Sequence, residues 1–187
     1  LTCAMLMSFE GTIGIYQGEE LGQTETELVF DELTDPPAIR YWPAVKGRDG
    51  CRTPMVWEKD ALNAGFSDGK PWLPVKAAQA ANAVDQQGAD SILAYYKAMI
   101  AYRKASPSLT RGKTSFITLP EPLLAFTRTD SEETLTCIFN LSATQQTVPL
   151  KAAARIEQGE AVSLTDDTLT LDGNGFAYLS HGSEVPV

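Results

Sequence analysis

Apolar and polar residues follow three different rhythms along the chain. Over residues 1–22 short apolar runs dominate. LTCAMLMSF reads as the tail of a buried helix, so the chain is expected to begin inside a larger fold. TIGIYQ, residues 12–17, is short, contains β-branched side chains and is bounded by Gly11 and Gly18; it predicts a buried strand. A strand without a polar face needs cover on both sides, as in parallel α/β sheets. Over residues 23–88 no period holds. Prolines recur at 36, 37, 43, 54, 71 and 74, with turn pairs at Asp49-Gly50 and Asp68-Gly69. Loops of that length in compact proteins are functional or disordered, and Trp42, Trp57, Phe66 and Trp72 favour order. A short helix is expected near 76–83. Asp90 is expected to cap a helix running to about 104, with Ile92, Tyr96, Met99 and Ile100 on one stripe. Ser106-Pro107 should end it.

After residue 112 the rhythm has period two. In LTCIFNL, Leu135, Cys137, Phe139 and Leu141 share a face, and Leu124 and Phe126 alternate likewise. TLTL, the turn Asp172-Gly173-Asn174-Gly175 and FAYL predict a hairpin. Short strands at this spacing suggest a small antiparallel sandwich. One parallel strand and one helix cannot make a sheet, so the first part should complete a larger α/β body.

Composition narrows the function classes. The chain has 187 residues, 43% apolar and 21% charged, with net charge −9. That balance argues against nucleic acid and anionic membrane surfaces, and no apolar run approaches the ~20 residues of a span. The three cysteines, Cys3, Cys51 and Cys137, are widely spaced and His181 is the only histidine. No metal-ligand spacing appears and no cofactor is implied. Disulfides are not expected, which points to a reducing, cytoplasmic setting.

Four stretches carry a resemblance: GTIGIYQGEELG, GRDGCRTPMVW, NAGFSDGKPWLPV and SILAYYKAMIAYRKASPSL, in that order. Together they resemble the C-terminal third of an α-glucosidase of the oligo-1,6-glucosidase and maltose-hydrolysing type, in the α-amylase superfamily. The likeness covers residues 1–109. It implies an α/β plus all-β fold, the last strand, loop and helix of a (β/α)₈ barrel over 1–111 and a β-sandwich domain over 112–187. The long loop would then lie at the C-terminal face of the barrel, where such enzymes build their sites. Ile13 stands where the family often has proline. The resemblance also implies a pair of catalytic carboxylates ~5 Å apart, carried after the fourth and fifth barrel strands, and a histidine-aspartate pair after the seventh. This chain begins beyond them, and His181 lies in the β-module. No catalytic residue is assigned, and the chain alone should be inactive.

Arg48 and Arg52 stand four positions apart in a loop with no helical or strand period. The resemblance implies that Arg48 reaches the terminal glucose and pairs with an acidic residue of the barrel. A guanidinium offers several fixed donors to hydroxyls and carboxylates. Arg52 either contacts substrate or locks the loop through backbone carbonyls. Asp49 pairs with an arginine or caps the turn at Gly50. Glu19 and Glu20 are neighbours, which on an extended chain face opposite ways; Glu20 is read as a buried hydrogen-bond acceptor near the site. Tyr41 and Trp42 either stack on sugar rings or pin the loop, and Trp57 and Trp72 are expected to pin it. Implied partners are α-glucosides such as maltose or isomaltose-type oligosaccharides and the N-terminal remainder of the barrel. Two other readings stay open: a non-catalytic sugar-binding or interaction module, and a glucosyl-transferring or sucrose-isomerising relative.

Overall fold

The computed structural model describes residues 1–187. They form two compact units, one of Leu1–Ile13 with Ala98–Val187 and one of Gly14–Lys97.

In the first unit, helix α1 spans Thr2–Ser8 and buries Cys3, Ala4, Met7 and Ser8. The last carbonyls of a helix lack partners within it and attract cations, and two arginines meet that need. Arg103 donates from Nη1 to the Met7 and Phe9 carbonyls (2.7 and 2.9 Å) and from Nη2 to the Gly11 carbonyl (3.0 Å). Arg128, with no exposed surface, donates to the carbonyls of Ser8, Leu109 and Gly112. The six strands are β1 Lys113–Ile117, β2 Leu123–Thr129, β3 Thr134–Asn140, β4 Gln146–Pro149, β5 Ala154–Thr165 and β6 Thr168–His181.

All neighbouring strands are antiparallel. The order is β1-β2-β3-β6-β4, with β5 also on β6. The expected sandwich therefore takes the form of one curled sheet. Its period-two pattern gives two buried faces. On one, Phe126, Phe139, Phe176 and Tyr178 pack ring to ring, and the Tyr178 hydroxyl donates to the Ala4 carbonyl of α1. On the other, Ala125, Ile138, Ala177 and Leu179 meet Leu169, Leu171 and Val148 as the sheet bends over itself.

The hairpin at 172–175 is a correction. Thr168–His181 is one strand, and the reversal lies at Asp166-Asp167, between paired Thr165 and Thr168. Residues 172–175 instead bulge out of β6 opposite the single residue Ala161, where the pairing steps from Glu160 with Phe176 to Val162 with Leu171. The glycines serve close approach here. A Cβ on Gly173 would lie 2.3 Å from the Ala143 carbonyl oxygen, and the Asn174 amide donates to Ser142 (2.8 Å).

In the Gly14–Lys97 unit, residues 12–17 form no strand, again unlike the expectation; Ile15 and Tyr16 are 41% and 50% exposed. A parallel strand exists only through ladders to neighbours, and this chain supplies none. The short helices are α2 Pro36–Tyr41 and α3 Ala77–Ala80. The first was hidden by two prolines, which the opening turn of a helix accepts. Helix α4, Ile92–Ala105, begins in this unit. Its cap is Ser91, whose Oγ accepts from the Ala94 amide (3.2 Å), rather than Asp90. It ends before Pro107 as expected, but Pro107 opens a further helix, α5 Pro107–Arg111. Leu21, Met55, Val56, Ala64 and Ala83 form a small core. Of the large apolar side chains left exposed, all but Phe116, Leu141 and Val185 belong to Gly14–Lys97.

Candidate functional site

The loop that carries the two arginines is held by a reciprocal clasp. Asp49 is fully buried. Its carboxylate accepts from the amides of Thr34 and Asp35 (2.6 and 2.7 Å) and from the Thr34 hydroxyl (3.1 Å). In return the Asp35 carboxylate accepts from the Arg48 amide (2.8 Å). Gly50 completes the joint: its carbonyl accepts from the Thr26 amide (3.0 Å), and a Cβ there would sit 2.6 Å from the Thr26 oxygen. Burial pushes the Asp49 pKa up. The bonds from Thr34 and Asp35 and the charge of Arg52 outweigh it, so the group lies below the ordinary aspartate value.

Arg48 has its backbone fixed by this clasp while its side chain is exposed. Arg52 is half-buried; its guanidinium bonds no backbone carbonyl and acts on Asp49 through charge. Glu20 is half-buried and accepts from the Gly18 amide (2.8 Å), closing a turn in which Gly18 has φ 94°. Glu19 accepts from the Tyr96 hydroxyl (3.1 Å). Tyr41 is 52% exposed, with the Arg40 guanidinium 5.3 Å from its ring centre. Trp42 is 36% exposed and tilted against Phe30 at 6.2 Å. Trp57 and Trp72, expected to pin the loop, are 49% and 71% exposed.

A cavity of about 110 Å³ joins the 16–19 segment to the arginine loop, lined by Tyr16, Gln17, Glu19, Gln23, Gly50 and Cys51 among others. The Tyr16 hydroxyl donates to the Cys51 carbonyl (3.0 Å) and the Gln17 amide to the Thr53 carbonyl (3.4 Å). Gln23 carries a buried side-chain nitrogen without a partner. Sequence reasoning passed over Tyr16 and Gln17, because uncharged residues closing an apolar run look like strand filling, and over Gln23, which opens the stretch where no period holds. The structure thus unites Arg48, Asp49 and Arg52 on one clasped loop, and sets Glu20 in the turn beside Glu19, which lines the cavity.

Residues 1–112, which include this clasped loop, match the Alpha-amylase family (Alpha amylase, catalytic domain). The chain belongs to that family. It is 44% identical, over its whole length, to a probable alpha-glucosidase of Rhizobium meliloti (strain 1021), covering 32% of that protein. It is 34% identical to a probable oligo-1,6-glucosidase 2 of Bacillus subtilis (strain 168), over 78% of this chain and 29% of that one. Among solved structures, the alpha-glucosyl transfer enzyme XgtA superposes with a TM-score of 0.87 at 39% identity, over 97% of this chain and 35% of that one. The chain spans about a third of the length of the curated relatives it matches. No helix is long and apolar enough to cross a membrane.

Proposed function

We propose that this chain is the C-terminal part of a retaining α-glucosidase that releases terminal α-linked glucose from small oligosaccharides of the maltose or isomaltose type. Residues 1–111 would close a (β/α)₈ barrel and residues 112–187 form its β-domain. The observation that carries this reading is the 44% identity along the whole chain with a relative named a probable alpha-glucosidase. Two others support it. The family match ends at residue 112, one position before β1 begins. The exposed apolar side chains of Gly14–Lys97 also suit a surface made to be covered. A reducing, cytoplasmic setting accords with unbridged Cys51 and Cys137.

In such a reaction one carboxylate attacks the anomeric carbon and a second protonates the departing oxygen; water then releases the sugar with its configuration kept. Those carboxylates belong to upstream parts of the barrel. This chain's part is to fix the far end of the glucose. The clasp through Asp49 and Asp35 holds the Arg48 backbone, and the guanidinium donates to sugar hydroxyls and to an acidic barrel residue. Arg52 and the faces of Tyr41 and Trp42 complete the wall. A second reading has its own support, the 39% identity with an alpha-glucosyl transfer enzyme: a sugar hydroxyl takes the place of the water in the second step.

Proton NMR of the full-length protein acting on maltose and isomaltose tests both. Release of glucose first as its α-anomer is expected, and glucosyl products longer than the substrate mark transfer. Release of β-glucose, or no turnover with catalytic carboxylates in place, overturns the reading. In that enzyme Arg48→Ala should lower kcat/KM by roughly 2–5 kcal/mol of transition-state binding, the cost of truncating one side of a buried charged pair. Unchanged kcat/KM would remove Arg48 from the site.

A further inference from the structure

The clasp between Asp35 and Asp49 fixes the arginine loop at Arg48. Arg52 lies further along, and its neighbours on both sides are tied separately. The Cys51 carbonyl accepts from the Tyr16 hydroxyl (3.0 Å) and the Thr53 carbonyl from the Gln17 side-chain amide (3.4 Å). A third tie is deep. Thr53 and Gln79 are both buried, and the Gln79 side-chain amide donates to the Thr53 hydroxyl. That leaves the Thr53 proton for the Thr26 hydroxyl, 3.5 Å away. Thr26 in turn holds Gly50, its amide donating to that carbonyl (3.0 Å).

Gln79 stands third in helix α3, Ala77–Ala80, and its Oε1 accepts from the Lys76 amide (3.1 Å). A helix start of this kind takes glutamate or glutamine, because it asks only for an acceptor. The donor end is left over by the cap, and it goes to Thr53, 26 positions back. A buried polar network with its bonds made is rigid. Thr53 is therefore held through both its carbonyl and its hydroxyl, and one planar peptide joins it to Arg52. Residues of this chain already bury the tie, so it does not depend on which surfaces the rest of the protein covers. We infer that Gln79 is a positioning residue: through the Thr53 hydroxyl it sets the backbone from which Arg52 reaches the sugar. The inference rests on the glucosidase reading only for what Arg52 touches.

The test is made on the full-length protein carrying ¹⁵N-labelled arginine, the Arg52 side-chain Nε–H resonance being assigned by its loss in Arg52→Lys. Thr53→Val replaces the hydroxyl by a methyl of the same shape and leaves the helix cap intact, whereas Thr53→Ser keeps the hydroxyl. The Arg52 resonance should move in Thr53→Val and in Gln79→Met and stay in place in Thr53→Ser. On maltose or isomaltose, whichever is cleaved, kcat/KM should fall about tenfold in Thr53→Val and Gln79→Met, since displacing a positioned group is costly. Thr53→Ser should stay near the unsubstituted protein. In an Arg52→Ala background Thr53→Val should cost nothing further, because the effect runs through Arg52; a merely structural role would lower both backgrounds alike. An Arg52 resonance unmoved in Thr53→Val overturns the inference. So does an unchanged kcat/KM, or an equal loss in both backgrounds. A protein that releases no glucose sinks the glucosidase reading, and the Arg52 resonance then still decides this one. Intact glucose release with an unmoved resonance sinks this inference alone.

Discussion

Removing the buried Asp49 carboxylate would leave the Thr34 and Asp35 amides, the first part-buried and the second buried, without their acceptor. Each buried donor left unmet costs ~1–3 kcal/mol, so Asp49→Ala should lower stability by about 1–3 kcal/mol or more in urea unfolding. It should also free residues 34–35 and 48–49 to exchange their amide hydrogens. The pH dependence has a definite sign. The folded pKa lies below the usual 3.8, so the stabilisation is complete above that value and is lost as pH falls through the lowered one. Asp49→Asn should flatten the acid limb of the stability curve below pH 3.8; an unchanged limb would show that the carboxylate does not carry it. In the sequence, Asp49 could be read as an arginine partner or a turn cap. It turned out to bond two amides fourteen and fifteen positions back, a long-range choice that no local pattern encodes.

Helix α1 and the sheet meet through Arg128, whose guanidinium spans the Ser8, Leu109 and Gly112 carbonyls and forms no ion pair. A charged donor contributes about 1.5–3 kcal/mol per bond. Arg128→Ala should therefore destabilise by ~3 kcal/mol or more, read from the urea midpoint at constant slope. The β6 bend makes a second expectation at this scale. Gly173→Ala drives a Cβ against the Ala143 backbone, and overpacking of that kind costs roughly 1–3 kcal/mol. Were residues 172–175 a simple turn, the same change would cost little. The period-two rhythm announced β2, β3 and β6 clearly, because alternation reports burial directly. It misplaced the reversal, because Asp-Gly-Asn-Gly suits a tight turn and a bulge equally well. Only the partner strand, which sets Ala161 alone against four residues of β6, decides between them.

Across the whole chain, large exposed apolar side chains gather in Gly14–Lys97 and are few elsewhere. The isolated 187-residue chain should bind the apolar dye ANS strongly at neutral pH and release no glucose from maltose. Dye binding should fall when the upstream part of the protein is present. Dye binding as weak as that of an ordinary folded domain would mean that the apolar side chains are already covered, for instance by self-association visible in sedimentation. The acidic net charge of −9 keeps such a chain dispersed but does not cover those side chains.

By itself the sequence determined the family, the β-rich second half, the helix ending before Pro107 and the loop on which the arginines sit, because each depends on local spacing or on an unbroken run of matching residues. The tertiary structure decided what distance in sequence conceals: the clasp between Asp49 and the 34–35 amides, the curl of one sheet into two buried faces, the bend at 172–175, and the open indole of Trp72. It also decided that residues 12–17 form no strand here. A strand is a property of its neighbours, and a hydrogen-bond ladder cannot be drawn from one side.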